Sequence, residues 1–107
     1  MMHGDLISVS LRGDFGKPRP ALIIQADRYA HLNSVTVLPL TSDLLNTEPC
    51  RVVVDPTLQN GLHERSQVMV DKAATVLREK TGPVMGRLSP DDMTAVNRAL
   101  AIFLGFV

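Results

Sequence analysis

Short apolar stretches separated by polar turns run along the first three quarters of the chain. Most of them contain β-branched side chains, and the first alternates in part between apolar and polar positions, as half-buried strands do. The stretches predicted as strands are residues 5–11, 21–25, 34–40, 50–54 and 66–73, with residues 74–77 extending the last of them. The pattern therefore predicts a sheet of five or six short strands.

The segments between these strands carry turn-forming residues. Residues 12–18 contain two glycines and a proline, which indicates an irregular loop. Residues 41–46 are compatible with one helical turn capped by Thr41 or Ser42. The pairs Asp55-Pro56 and Asn60-Gly61 predict two further turns.

The hydrophobic period lengthens near the end of the chain, which indicates a helix. The sequence Ser-Pro-Asp-Asp at positions 89–92 supplies an N-cap, a proline for the first helical position and two acids beside the helix dipole. The predicted apolar face consists of Met93, Val96, Leu100, Phe103 and Leu104. Gly105 is placed to end the helix, and Phe106 and Val107 are expected to be buried against the sheet or a partner.

Length and composition favour one folded domain over residues 1–107. Hydrophobic residues make up 45% of the chain and charged residues 21%, which is typical of soluble globular proteins. Many short strands with one packed helix predict a mostly β fold of the α+β class, in which the sheet is strongly bent and barrel-like.

Charge and composition restrict the possible partners. Eleven basic residues balance eleven acidic ones, so any nucleic-acid site must be local. An aromatic content of 4% is too low for the stacking platform of an RNA-recognition sheet. Cys50 is the single cysteine, which excludes an internal disulfide and a cysteine-clustered zinc site. No signal peptide or membrane-spanning run is evident, so we expect a soluble cytoplasmic protein that does not contact membranes.

Motifs for metals and cofactors are missing from the sequence. His3, His31 and His63 lie far apart, without companion cysteines or a paired-histidine helix motif, and are read as surface or loop residues. Residues 12–17 lack the glycine spacing of a phosphate-binding or dinucleotide-binding loop. We therefore predict neither a metal nor a cofactor.

Arg19 is the first candidate for chemistry. It lies between Pro18 and Pro20, where a loop turns into an apolar strand, so the backbone around its guanidinium is stiff. A planar group with five donors suits a phosphate and the charge that develops on it in a transition state. The alternative is a structural arginine paired with Asp14 or Asp71.

Thr41 and Ser42 are the second candidate, because their hydroxyls follow an apolar strand and could donate to a phosphate oxygen. The alternative is that they only cap the following turn.

Asp71 is an acid in a largely apolar strand, where a carboxylate needs a basic or backbone partner. Asp14, in the loop before Arg19, is either a base near the substrate or a solvated acid.

Taken in order, several short segments resemble the MazF/PemK family of toxin endoribonucleases over essentially the whole chain. These segments are Gly4-Asp5, Pro18-Arg19-Pro20-Ala21, Pro39-Leu40-Thr41-Ser42, the run 66–72 that ends in Asp71-Lys72, and Gly86-Arg87-Leu88. The resemblance implies an SH3-like bent β-barrel with a C-terminal helix, usually a homodimer, that cleaves single-stranded RNA at short sequences without a metal.

The resemblance also implies a mechanism. In the family the arginine of the Arg-Pro pair and the threonine of the Thr-Ser pair are active-site residues, which are Arg19 and Thr41 here. The ribose 2′-hydroxyl would attack the adjacent phosphorus and leave a 2′,3′-cyclic phosphate and a 5′-hydroxyl. Arg19 would stabilise the charge on the phosphorane, and Thr41 would bind a phosphate oxygen.

Other site residues follow with less support from the family pattern. Asp71 matches an aspartate of PemK-type enzymes, but Met69 stands where those enzymes carry a catalytic arginine. Asp14 is the preferred general base. The residues expected to contact RNA are Arg12, Lys17, Arg28 and Ser42.

The family further implies a cognate antitoxin whose disordered, often acidic tail covers the RNA groove. Two other functions stay open. A CcdB-type toxin shares the barrel and poisons DNA gyrase, although the chain end here lacks the tryptophan that this type uses. A peptide-binding SH3-like adaptor would need more than the four aromatic residues present.

Overall fold

The computed structural model of the chain describes residues 1–11, 17–44 and 50–107. These residues form seven β-strands, three short 3-10 turns and one α-helix. The strands are β1 (Asp5–Val9), β2 (Arg19–Ile23), β3 (Ser34–Thr41), β4 (Arg51–Val54), β5 (Ser66–Met69), β6 (Ala74–Leu77) and β7 (Val84–Arg87). The helix α1 spans Pro90–Phe103, and the 3-10 turns span Asp27–Tyr29, Val70–Lys72 and Arg78–Lys80.

The strands form one antiparallel sheet that curls into a half-barrel. Its order is β4-β5-β3-β2-β1-β7, and β6 also pairs with β3. The eight-residue β3 is the centre of the sheet, since β2 lies on one edge while β5 and β6 share the other. The predicted bent sheet with one helix, of the α+β class, is confirmed.

Both faces of the central strands are buried. Leu6, Leu22 and Leu38 point to the main core, which also receives Val96 of α1. The residues that alternate with these leucines form a second cluster on the other face of the sheet: Ile7, Val9, Ala21, Ile23, Val35 and Val37. Burial on both faces explains why these strands read as nearly continuous apolar runs.

The predicted strand over residues 66–73, extended to 77, is wrong in one respect, because the 3-10 turn Val70–Lys72 interrupts it. Both halves pair with β3, but β6 is offset from β5 by three residues in its register against that strand. The three residues of the turn take up this offset. Val70 then points into the main core, where it is fully buried.

The C-terminal helix begins and ends as predicted. The Ser89 hydroxyl accepts a hydrogen bond from the backbone N–H of Asp92 at 3.1 Å, and Pro90 is the first helical residue. Gly105 adopts a φ of 79°, and the N–H groups of Gly105 and Phe106 close the helix onto the carbonyls of Ile102 and Ala101. This is the pattern of a Schellman cap.

The predicted burial of the chain end is wrong within this chain. Met93, Val96 and Leu100 pack on the core. Phe103 and Leu104 are about half exposed, and Phe106 and Val107 are 79% and 90% exposed. The residues of α1 that pack on the core end at Leu100, near the last turn of the helix.

One strand, β7, was not predicted from the pattern. It has only four residues, its side chains do not alternate, and Gly86 lies in its middle. Gly86 permits a close approach, because a Cβ there would lie 2.4 Å from the backbone of Gln59 and Asn60. In β7, Arg87 forms an ion pair with Asp5 of β1 at 2.7 Å, so the Gly-Asp and Gly-Arg segments of the sequence hold these strands together.

Candidate active site

Strand register brings Arg19 and Thr41 together. Strands β2 and β3 pair with Ala21 opposite Pro39, and extending this antiparallel register by two residues places Arg19 opposite Thr41. The two side chains therefore emerge on the same face at the same end of the sheet. They are the first residue of β2 and the last residue of β3, and both are partly exposed.

These two residues line a cleft of about 280 Å³ at the end of the strands. The polar side of the cleft comes from Lys17, Arg19, Thr41, Ser42, His63, Glu64 and Ser66. Its apolar wall comes from Pro18, Pro20, Leu40, Leu62 and Met85. A guanidinium, an ammonium and hydroxyls beside this apolar wall form a surface that can hold a phosphate with part of a nucleoside next to it.

The Thr41 hydroxyl has a structural contact of its own. Its oxygen accepts a hydrogen bond from the backbone N–H of Asp43 at 3.1 Å, which closes a short turn after β3. The predicted helical turn over residues 41–46 is wrong for the part that the structure describes, since residues 42–44 are not helical. Because the oxygen accepts, the hydroxyl hydrogen still can donate to a ligand, so capping and binding are compatible at Thr41.

The structure brings together some of the predicted site residues and not others. Arg19, Thr41, Lys17 and Ser42 share the cleft. Arg28 lies in the turn Asp27–Tyr29, beyond the opposite end of β2, and does not line it. Two further predicted residues, Arg12 and Asp14, lie outside the described residues.

Asp71 does not line the cleft. It forms an ion pair with Arg51 instead. Both carboxylate oxygens accept from the guanidinium, at 2.6 and 3.1 Å, and the two side chains are 23% and 8% exposed. The hydrogen bonds from Arg51 lower the pKa of Asp71, and the same pair raises the pKa of Arg51. This pair ties β4 to the 3-10 turn between β5 and β6, which identifies the basic partner that the sequence predicted for Asp71.

Replacing Asp71 by Asn should lower the free energy of unfolding by about 2–3 kcal/mol at neutral pH, because the buried Arg51 would lose a charged partner. The native pKa of Asp71 is depressed, so its contribution is complete above the ordinary pKa of an aspartate and is lost as the pH falls through the native value. Urea unfolding should therefore show a larger difference from the native chain at pH 7 than near pH 3.

An equal difference at both pH values would contradict the charge-pair interpretation. The catalytic role predicted for Asp71 is tested in the same variant. The RNA cleavage that the resemblance implies should stay, in the folded variant, within about threefold of the native rate if Asp71 acts only through Arg51.

In residues 1–11, 17–44 and 50–107, no three His, Cys, Asp or Glu side chains lie together in a way that could hold a metal ion. No helix in this part of the chain is both long and apolar enough to span a membrane.

Sequence reasoning missed His63 and Glu64 as cleft residues. They lie between Leu62, whose side chain is buried in the main core, and Ser66, which begins β5. The segment before β5 carries no motif, so the only available signal was the position of two titratable residues between a turn and a strand. The strand Ser66–Met69 and the anchor at Leu62 place them in the lining of the cleft that also contains Arg19 and Thr41.

Comparison with known proteins identifies relatives along nearly the full length. A family model described as the PemK-like, MazF-like toxin of type II toxin–antitoxin systems matches residues 2–104. The probable endoribonuclease MazF of Mycolicibacterium smegmatis is 42% identical over 106 residues, covering 98% of this chain and 97% of that protein.

Solved structures show the same fold. The toxin MazF-mt6 of Mycobacterium tuberculosis matches with a TM-score of 0.81 and 27% identity, over 94% of this chain and 96% of that one. A mycobacterial endoribonuclease in complex with its cognate antitoxin matches with a TM-score of 0.85 and 24% identity, over 100% of this chain and 97% of that one.

The matched region contains every element that forms the cleft: β2 with Arg19, β3 with Thr41 and the segment before β5. The resemblance seen in the sequence is thereby confirmed. The chain belongs to the PemK-like, MazF-like family of toxins of type II toxin–antitoxin systems, whose members are endoribonucleases.

Proposed function

We propose that this toxin cleaves single-stranded RNA at short sequences by transesterification within the strand, without a metal. The observation that carries the proposal is the placement of Arg19 opposite Thr41 in one cleft. In this reaction the ribose 2′-oxygen attacks the adjacent phosphorus, the bond from phosphorus to the 5′-oxygen breaks, and the products are a 2′,3′-cyclic phosphate and a 5′-hydroxyl.

Arg19 would stabilise the phosphorane. Extra negative charge collects on the non-bridging oxygens as the phosphorus becomes pentacoordinate, and a guanidinium can donate two parallel hydrogen bonds to them. The prolines on both sides of Arg19 restrict the backbone, so less conformational entropy is lost when the contact forms. A donor that is fixed in advance contributes most where charge develops.

The other cleft residues would hold the substrate. Thr41 would donate its hydroxyl hydrogen to a phosphate oxygen, and Ser42 and Lys17 would contact a neighbouring phosphate or ribose. Arg12 and Arg28 stay predictions as RNA contacts. Arg28 would have to contact a part of the RNA that lies well away from the cleft. Asp14 stays the proposed base for the 2′-hydroxyl, on the segment that leads into Lys17.

The proposed partners are a second copy of the chain and a cognate antitoxin. The exposed apolar residues at the end of α1, with Phe106 and Val107 beyond it, support burial against a second copy. The mycobacterial relative solved with its cognate antitoxin supports an antitoxin for this chain too. We expect both partners to meet the toxin in the cytoplasm. The comparisons do not favour the CcdB-type alternative.

The chemistry of the cut ends tests the proposal. Purified protein incubated with an unstructured RNA in EDTA should leave 5′-hydroxyl ends and 2′,3′-cyclic phosphates. A matched RNA with a 2′-deoxyribose at the scissile nucleotide should not be cut there, since the attacking oxygen is missing. Mass spectrometry of the fragments reads both results.

Two outcomes would overturn the mechanism. Fragments with 5′-phosphates would mean that water or another nucleophile attacks instead of the 2′-oxygen. Cleavage that EDTA abolishes and added Mg²⁺ restores would mean that a metal takes part in the reaction.

A further inference from the structure

The proposed transesterification lacks a proton donor for the leaving group. The 5′-oxygen leaves as an alkoxide unless a group in the cleft gives it a proton as the bond to phosphorus breaks. Arginine is a poor source of that proton because a guanidinium stays charged in proteins. Neither Thr41 nor Ser42 releases a proton readily, so a different side chain must act.

We propose that His63 is the general acid of this reaction, an inference that rests on the proposed mechanism. His63 lines the same cleft as Arg19 and Thr41. Its side chain is exposed to solvent, where it can take up a proton between turnovers. Imidazole is the side chain that both gives and accepts a proton near neutral pH.

The backbone at His63 is held on both sides. The preceding residue, Leu62, is buried in the main core, and its N–H donates to the side-chain oxygen of Asn60 at 2.9 Å. Three residues later Ser66 begins β5, which pairs with β3 next to Thr41. These two anchors fix the backbone that carries His63 relative to the strand that carries Thr41, and a positioned backbone favours a general acid.

The other titratable groups of the cleft are less suited to this step. Lys17 and Arg19 are cations that serve the phosphate charge. Glu64 follows His63 directly and is also exposed, but an ionised carboxylate only accepts and has no proton to give. Among the described residues that line the cleft, His63 is therefore the one whose chemistry matches the need.

The proposed step accounts for every proton and for both bonds at phosphorus. The base removes the 2′-hydroxyl proton as the 2′-oxygen bonds to phosphorus, and the bond from phosphorus to the 5′-oxygen breaks. The imidazolium of His63 transfers one proton to that oxygen, which leaves as a 5′-hydroxyl. Solvent returns a proton to the neutral imidazole before the next turnover.

A leaving group that needs no acid tests the assignment. In an RNA whose scissile 5′-oxygen is replaced by sulfur, the thiolate leaves without protonation. His63→Gln should cleave the ordinary RNA about 100-fold more slowly than the native chain. On the sulfur-bridged RNA its rate should be within about threefold of native, since the lost proton is no longer required.

The control is His31→Gln, at an exposed position in the turn before β3 and outside the cleft, which should match the native chain on both substrates. Equal losses for His63→Gln on both substrates would overturn the proposal, because a general acid acts only on the oxygen leaving group. An unchanged rate on ordinary RNA would overturn it as well.

The same experiment separates this inference from the proposed function. If the native chain cuts neither RNA, the proposed function fails. If it cuts both and Glu64→Gln, not His63→Gln, loses activity on the oxygen substrate alone, the proposed function stands and the acid is Glu64 instead.

Discussion

Replacing Arg19 by Ala is expected to reduce the rate of RNA cleavage by about two to three orders of magnitude, the cost of removing one preorganised donor set from a transition state. The effect should fall on kcat more than on KM, because the contact strengthens only as charge develops on the phosphorane. Single-turnover cleavage of an unstructured RNA at saturating enzyme measures this effect directly.

Two further variants show what the Arg19 side chain contributes. Arg19→Lys keeps the charge but loses the planar pair of donors, so it should recover only a part of the rate. Arg98→Ala removes a guanidinium from an exposed position on α1 and should leave cleavage unchanged. Full activity of Arg19→Ala, or full recovery by Arg19→Lys, would contradict the proposed role of the guanidinium.

The core of the site could be predicted because two local patterns carry it. The Pro-Arg-Pro segment stiffens the entrance to β2, and the Thr-Ser pair ends β3. The sequence could not establish that Arg19 and Thr41 lie opposite each other. That depends on the register of β2 against β3, and the ten residues between these strands do not specify a register by pattern alone.

Asp71 shows why a long-range partner escapes sequence analysis. Arg51 lies 20 residues away, and both residues belong to segments that read as simple strands. The ion pair exists because a 3-10 turn absorbs a three-residue offset between β5 and β6 and turns the carboxylate toward β4. Apolar periodicity has no feature that marks such an interruption, because Val70 in the turn is as buried as a strand residue.

The histidine of the cleft was missed for a different reason. His63 lies on an irregular segment that forms one wall of the cleft. Such a segment leaves no hydrophobic period in the sequence by which it could be predicted. The segment between β4 and β5 is positioned by its contact with β7: the backbone N–H of Arg87 donates to the carbonyl of Gln59 at 2.8 Å. Gly61 has a φ of 70°, and a Cβ there would lie 2.4 Å from the carbonyl oxygen of Met85. These contacts form only when distant parts of the chain meet.

Asn60 is the centre of that segment, and replacing it by Ala is expected to lower the free energy of unfolding by about 3–4 kcal/mol. The side chain is 1% exposed. Its oxygen accepts from the N–H groups of Thr57 and Leu62 at 3.0 and 2.9 Å, and its nitrogen donates to the carbonyl of Asp55 at 2.9 Å. Alanine would leave these buried groups without their partners and open a small cavity beside Leu62.

Urea unfolding followed by circular dichroism measures the change, and Asn97→Ala, at an exposed position on α1, is the matched control. Asn97→Ala should unfold within about 0.5 kcal/mol of the native chain. A loss of less than 1 kcal/mol for Asn60→Ala would mean that the segment is held by β7 and not by the asparagine.

Asn60→Asp separates the two kinds of hydrogen bond at this position. A carboxylate keeps both acceptor contacts but faces the carbonyl of Asp55 with a negative oxygen, whereas a protonated carboxyl can donate to that carbonyl as the amide does. Folding therefore raises the pKa of the introduced carboxyl, and its penalty grows as the pH rises above the ordinary aspartate value. The deficit of Asn60→Asp relative to the native chain should accordingly be several kcal/mol at pH 7 and shrink near pH 4. A deficit independent of pH would show that the donor contact to Asp55 contributes little.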